Sequence, residues 1–181
     1  MTSFDLDSLQ QDFFGLFGLP CRQEIDVDRL EVLYRDIQAR VHPDKHAHLS
    51  SASDKRLAMQ WATRVNEAYQ TLKDPLRRAR YLLELAGHDV RLETNTAMPV
   101  EFLMAQMELR EGVAAARAEG NIDALESQHQ QLRKTIRAAH VGLQAALDAN
   151  EYERAGALVR QLMFQEKLLH EIDDALAVLE T

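Results

Sequence analysis

Cysteine is nearly absent: Cys21 stands alone among 181 residues. A disulfide framework within the chain is therefore excluded, and a cysteine-based zinc site has no ligands to draw on. A reducing compartment fits, and Cys21 reads as a small buried hydrophobe. Breakers are scarce too, with 7 glycines and 4 prolines, which favours long helices over a many-turned β-fold. No apolar run approaches the roughly 20 residues that span a bilayer. The opening segment, residues 1–20, lacks a basic region and carries Asp5, Asp7 and Asp12, so neither a secretory signal nor an arginine-rich transit peptide is expected there. A cytoplasmic protein is the expectation. Positive charge is also in short supply. The formal net charge is −8, and its distribution is uneven. Residues 1–85 carry 12 Lys/Arg against 13 Asp/Glu, whereas residues 86–181 carry 9 against 16. A chain of that balance has no general pull on nucleic acid or on an anionic membrane. There is no glycine-rich phosphate loop, no Ser/His/Asp arrangement and no strand framework for a nucleotide fold.

What is present is hydrophobic periodicity at helical spacing. Hydrophobic residues make up 46% of the chain, enough for a packed core. A short apolar segment, Asp12–Phe17, supplies Phe13, Phe14, Leu16 and Phe17 before Gly18-Leu19-Pro20 ends it. From Asp26 to Val41, Leu30, Leu33, Tyr34, Ile37 and Val41 mark one face of a helix. Asp26 suits its start, and Pro43 ends it. Burying those five side chains would contribute roughly 7–15 kcal/mol before entropy, at ~1.5–3 each. A helix over 54–72 carries a matching stripe of Leu57, Trp61, Val65, Ala68, Tyr69 and Leu72. The two stripes predict an antiparallel hairpin with residues 42–53 exposed at its tip. Asp74-Pro75 then opens a short helix to Leu85, which Gly87 ends.

Residues 88–98 show no periodicity and read as a linker between a first domain, 1–87, and a second, 99–181. The second reads as three helices. The first spans Pro99–Glu119. The next is capped by Asn121, with His129 at a vacant stripe position. The last begins at Asn150, with Glu153 three residues on as a capping box. Short turns between long amphipathic helices imply an antiparallel three-helix bundle.

His42-Pro43-Asp44 sits at the hairpin tip. Proline stiffens the turn, so His42 and Asp44 are presented in fixed directions, and an exposed Asp there is placed to bond a partner's arginine. His46 and His48 share the loop, but the spacing fits no standard zinc motif, and no metal site is expected. An alternative use of His42 and Asp44, as a helical metal-dependent hydrolase, lacks a desolvated cleft at an exposed tip.

Three strings carry a resemblance: Tyr34, Val41–Lys45 (VHPDK) and Val65–Pro75 (VNEAYQTLKDP). They resemble the J-domain family over residues 12–85. The resemblance implies an all-α fold and a non-enzymatic role, in which His42, Pro43 and Asp44 dock on a DnaK-type chaperone and trigger its ATP hydrolysis. It implies docking support from Arg29, Arg35, Arg40 and Lys45. Here those arginines alternate with Asp28, Glu31 and Asp36, so a solvated mixed face is the competing reading. DFFGLFGLP at 12–20, RARYLLELAG at 78–87 and FLMAQMELRE at 102–111 are similar to the HscB branch, the J-type co-chaperones of iron–sulfur cluster biogenesis. That similarity covers nearly the whole chain. It implies two partners, the chaperone HscA and the scaffold protein IscU, and no cofactor. It places the scaffold contact on Leu103, Met104, Met107, Glu108, Glu111 and Phe164. A further acidic position of that face is Ala115 here. From the residues alone, the same row could be a core stripe with a solvated acidic flank. A J-domain protein with a different client is the alternative function.

Overall fold

The computed structural model describes residues 10–41, 52–88 and 98–179. The fold is all-α, with seven helices and no strand among the described residues. They are α1 (Phe13–Phe17), α2 (Val27–Val41), α3 (Ala52–Lys73), α4 (Pro75–Leu85), α5 (Val100–Glu119), α6 (Ile122–Asp148) and α7 (Tyr152–Leu179). The chain divides into two compact units, Met1–Leu82 and Leu83–Thr181. The division falls inside α4, five residues before the Gly87 that the sequence marks as the end of the first domain. Most of the expected linker lies outside the described residues.

In the first unit, α1 is a single turn held at both ends. Asp12 Oδ1 accepts from the Gly15 amide at 2.7 Å. Gly18 adopts φ 61° as the left-handed stop, and Leu19 N donates back to Phe14 O at 2.9 Å. All four apolar side chains of α1 are buried. Phe13 is fixed from three directions. Its amide donates to Tyr81 Oη at 3.0 Å, its ring stacks on Tyr81 at 4.4 Å, and the Arg64 guanidinium lies 4.7 Å over it. The α2 and α3 stripes meet as the sequence predicts, with Leu30, Trp61, Val65, Ala68 and Leu72 essentially excluded from water. The hairpin is further bolted by polar contacts. Tyr34 stacks on Tyr69 at 4.0 Å, and Tyr34 Oη donates to Asn66 Oδ1 at 2.8 Å. Gln38 Nε2 donates to the same Asn66 oxygen and, at 3.0 Å, to Tyr34 Oη.

The junction of α3 and α4 turns on Asp74-Pro75. Asp74 Oδ1 accepts from the Leu76 and Arg77 amides at 2.9 and 2.8 Å. That leaves the Leu72 carbonyl without its helical donor, and the buried Arg78 guanidinium supplies one at 2.5 Å. Burial pushes the Arg78 pKa down, and the Asp74 carboxylate opposes the shift.

The second unit centres on α6 and α7. Leu125, Leu132, Ile136, Leu143 and Leu147 pack with Ala155, Val159, Leu162, Leu168 and Ile172 in its core. Two histidines of α6 reach carboxylates of α7. His129 Nε2 lies 2.9 Å from Asp173 Oδ1, and His140 Nε2 lies 3.2 Å from Glu166 Oε1. These contacts rise along α6 as they fall along α7, so the helices are antiparallel. The vacant stripe position at His129 is thus an interhelical polar contact. One expected boundary is corrected. Asn150 is not the cap of α7; it is the left-handed stop of α6, at φ 56°. Its amide donates to Leu147 O at 3.1 Å and Glu151 N donates to Ala146 O at 2.8 Å, closing α6. Asparagine tolerates that backbone region better than most residues. Helix α7 starts behind Glu151, whose carbonyl accepts from the Ala155 amide.

Candidate functional site

Two surfaces follow from the sequence, one in each unit. His42, Pro43, Asp44 and Lys45 lie outside the described residues. The helix that leads into them, α2, is described, and Arg29, Arg35 and Arg40 are all exposed on it. Arg35 pairs with Glu31 one turn earlier, so part of its charge is spent within the helix. The Arg29 amide donates to Asp26 Oδ1 at 2.9 Å, which makes Asp26 the cap of α2. Asp28 and Asp36 are exposed beside the arginines. This face is mixed in sign, as its sequence says. The orientation of α2 is set from behind by the Tyr34–Asn66–Gln38 network and the Tyr34–Tyr69 stack, which explains physically why the NEAYQ segment accompanies the loop.

The second surface lies on the bundle. Helix α5 is apolar on two sides. One side turns inward through Phe102, Leu109, Val113 and Ala116, which are half-buried or buried. The other leaves Leu103, Met104 and Met107 exposed at 40, 57 and 62%. Those values exclude the core-stripe reading of this row. Glu108 and Glu111 are exposed on the same helix. On α7, Phe164 is 42% exposed, an unusual state for a phenylalanine flanked by a well-packed core. The register of α5 on α7 is given by Arg110 and Glu171, whose side chains meet at 3.4 Å. Helices α5 and α7 run the same way, each being antiparallel to α6. Equal steps back from that pair bring Leu103 level with Phe164. Leu103, Met104, Met107, Glu108 and Glu111 thus lie exposed on α5, and Phe164 lies midway along α7 at the level of Leu103. Methionines give such a surface adaptable shape, and the carboxylates suit a basic partner.

Other features are structural. Cys21 is exposed, contrary to the buried expectation, because the turn after Pro20 carries it outward. Its thiol is pushed up by partial burial and, secondarily, by Asp12. No group of three or more His, Cys, Asp or Glu able to hold a metal occurs among the described residues. No helix among them is long and apolar enough to cross a membrane. Arg78, His129 and His140 were not legible as contact residues. Burying an arginine on a helical carbonyl and pairing histidines across helices both depend on tertiary register.

Comparison with known proteins agrees with this architecture. Residues 98–173 match a family model described as the HSCB C-terminal oligomerisation domain. A protein of Azoarcus sp. (strain BH72) named co-chaperone protein HscB homolog is 57% identical, across 95% of this chain and 97% of its own. Among solved structures, chaperone HscB from Vibrio cholerae superposes with a TM-score of 0.82 at 38% identity, covering 93% of this chain and 99% of that one. Human co-chaperone protein HscB gives a TM-score of 0.84 at 26% identity, covering 91% and 81%.

Proposed function

The chain belongs to the HscB family of co-chaperones, a non-enzymatic family, and from that premise we propose that it stimulates ATP hydrolysis by a DnaK-type chaperone, HscA, and delivers the scaffold protein IscU to it. The process served is maturation of iron–sulfur proteins, and the compartment is the cytoplasm. In this reading His42, Pro43, Asp44 and Lys45 contact the chaperone, with Arg29, Arg35 and Arg40 in support. Arg35 contributes least, because Glu31 already holds it. The division into domains follows the same logic: a J-domain over 1–87, a linker over 88–98 and a client-binding bundle over 99–181.

The observation that carries the reading is the exposed apolar row on α5 with Phe164 alongside. Leaving two methionines, a leucine and a phenylalanine in water on the surface of a well-packed bundle is unfavourable for the free protein. Docking a client removes that cost, at roughly 25 cal/mol per Å² of apolar area covered. Glu108 and Glu111 give the same surface a preference for basic groups. Nothing in this role requires bond-making by the protein itself; it joins a client to an ATPase.

Binding of purified IscU to the full chain tests it. Met104→Ala and Phe164→Ala are each expected to weaken binding by about tenfold or more, the cost of a buried apolar anchor at an interface centre. Retention of full affinity by both variants would refute the assignment of the face.

A further inference from the structure

Helix α5 is the least firmly held member of the bundle. Its buried side chains are Val113 and Ala116 alone, whereas α6 buries six residues and α7 eight. The α6–α7 pair is closed by its leucines and by the His129–Asp173 and His140–Glu166 contacts. Polar atoms occupy the seam where α5 meets that pair. Gln106 stands in the inward stripe of α5, between Phe102 and Leu109. Gln128 of α6 packs on Gly112, where an added Cβ would lie 2.6 Å from Gln128 Nε2. Gln165 of α7 is 6% exposed, and the Arg110–Glu171 register sets it within one turn of Gln106 along the seam. The Oε1 atoms of all three glutamines are enclosed and meet no hydrogen-bond donor. Farther along, α5 and α7 leave a groove of about 610 Å³ lined by Val113, Ala114 and Leu168.

Each enclosed carbonyl without a donor carries a desolvation penalty that undocking α5 relieves, because water then reaches it. Gly112 weakens the helix from within, since glycine has more backbone freedom to lose than alanine. A segment with few buried apolar contacts opens before the rest of its domain. We propose that α5 detaches from α6 and α7 as a unit while the α6–α7 hairpin stays folded, and that a bound client holds it shut. The second half rests on the client face proposed above, which sets Leu103 of α5 level with Phe164 of α7.

Phe164 is what couples the two halves. A partner seated on α5 alone would ride with the helix, open or closed, and shift nothing. A client that touches both Leu103 and Phe164 bridges the seam and favours the closed state, and closure of α5 in turn favours the client. The opening of α5 is also separable from the unfolding of α6 and α7. The Arg110–Glu171 register sets Val100 level with Gln161, whereas α6 and α7 join at Asn150 and Glu151. That junction lies roughly 15 Å below the start of α5, at 1.5 Å per residue. Substitutions there disturb the hairpin without touching the α5 seam.

Amide hydrogen exchange on the full-length protein tests this, with and without purified IscU and across a series of low urea concentrations. The α5 amides are expected to share an opening constant at least about tenfold above that of α6 and α7, with a weaker urea dependence, because less surface is exposed. Leu147→Ala is expected to speed α6 and α7 exchange at least about tenfold and to leave α5 unchanged. Asn150→Ala is expected to do the same by about fivefold, and it carries the comparison if Leu147→Ala does not fold. Gln165→Leu is expected to slow α5 about fivefold or more by removing an unpaired oxygen. Saturating IscU is expected to slow α5 at least about tenfold, and Phe164→Ala at equal occupancy to lose most of that protection. One opening constant and one urea dependence for all three helices, or α5 accelerated along with α6 and α7 by Leu147→Ala and Asn150→Ala, would overturn the opening. Faster α5 exchange in Gln165→Leu would overturn the role of the glutamines. Unchanged α5 exchange with IscU bound would overturn the closure and leave the client reading intact. No binding of IscU would overturn that reading and the closure with it, while exchange of the free protein would still decide the opening.

Discussion

Replacing Arg78 should reveal how the first unit is closed. The guanidinium is buried and donates to the Leu72 carbonyl at 2.5 Å. That carbonyl is orphaned because Asp74 Oδ1 has taken the Leu76 amide, its ordinary helical donor. The cation also faces the negative end of the α3 dipole. Arg78→Ala removes a charge-assisted bond worth ~1.5–3 kcal/mol net. It also removes two buried methylenes at ~0.8 kcal/mol each. Against these losses stands the relief of a desolvated charge, whose burial already pulls the Arg78 pKa down. The expected net loss is about 2–4 kcal/mol. Arg78→Met keeps most of the apolar stem and should cost about 1–2 kcal/mol, the penalty of the carbonyl left bare. Trp61 is the chain's only tryptophan and is 2% exposed, so its fluorescence reports the first unit selectively. With a urea dependence of ~1 kcal/mol per M for a unit of this size, Arg78→Ala should lower the midpoint by about 2–4 M. A loss under ~1 kcal/mol in Arg78→Ala, or a gain in Arg78→Met, would refute the reasoning, because the bond would then contribute nothing beyond its desolvation cost.

Other expectations follow from single contacts. Asp74→Ala removes the acceptor of two amides and should cost about 1 kcal/mol in the same urea titration. Asn150→Ala puts an L side chain with no local hydrogen-bonding group at φ 56° and should lower bundle stability by about 1 kcal/mol in thermal denaturation, whereas Asn150→Gly should be neutral or stabilising. Asn66→Ala deprives Tyr34 and Gln38 of their shared acceptor; a loss of about 0.5–1.5 kcal/mol by Trp61 fluorescence is expected, since the network is partly solvated. Cys21→Ser should change stability by less than about 0.5 kcal/mol, because the residue is exposed. The raised thiol pKa makes Cys21 thiolate scarcer at a given pH than an unperturbed thiol's, so its alkylation should be slower and should accelerate as pH rises.

Much of this fold can be read locally. Asp12 with Gly18, Asp74 with Pro75, and Asn121 are stop and start signals whose chemistry acts within a few residues, and each behaves accordingly. The α2 and α3 stripes were legible because a single buried face imposes one period. Asparagine serves both as a helix cap and as a left-handed stop, and at Asn150 only the backbone path, with φ 56°, distinguishes the two. The second apolar face of α5 was half legible. Leu103, Met104 and Met107 stood out as a row, but periodicity cannot tell an inward stripe from an outward one when a helix has both. His129 and His140 meet Asp173 and Glu166 through interhelical register, which no local pattern encodes. Arg78 was hidden for a different reason: composition places arginine on surfaces, and its burial depends on a carbonyl that Asp74 leaves bare.

Steady-state ATP hydrolysis by HscA, with and without this protein and with IscU present, tests the central claim most directly. The account predicts that the full-length protein accelerates hydrolysis and that Asp44→Ala abolishes the acceleration while IscU binding is kept. No acceleration by the unaltered protein, or full acceleration by Asp44→Ala, would contradict it.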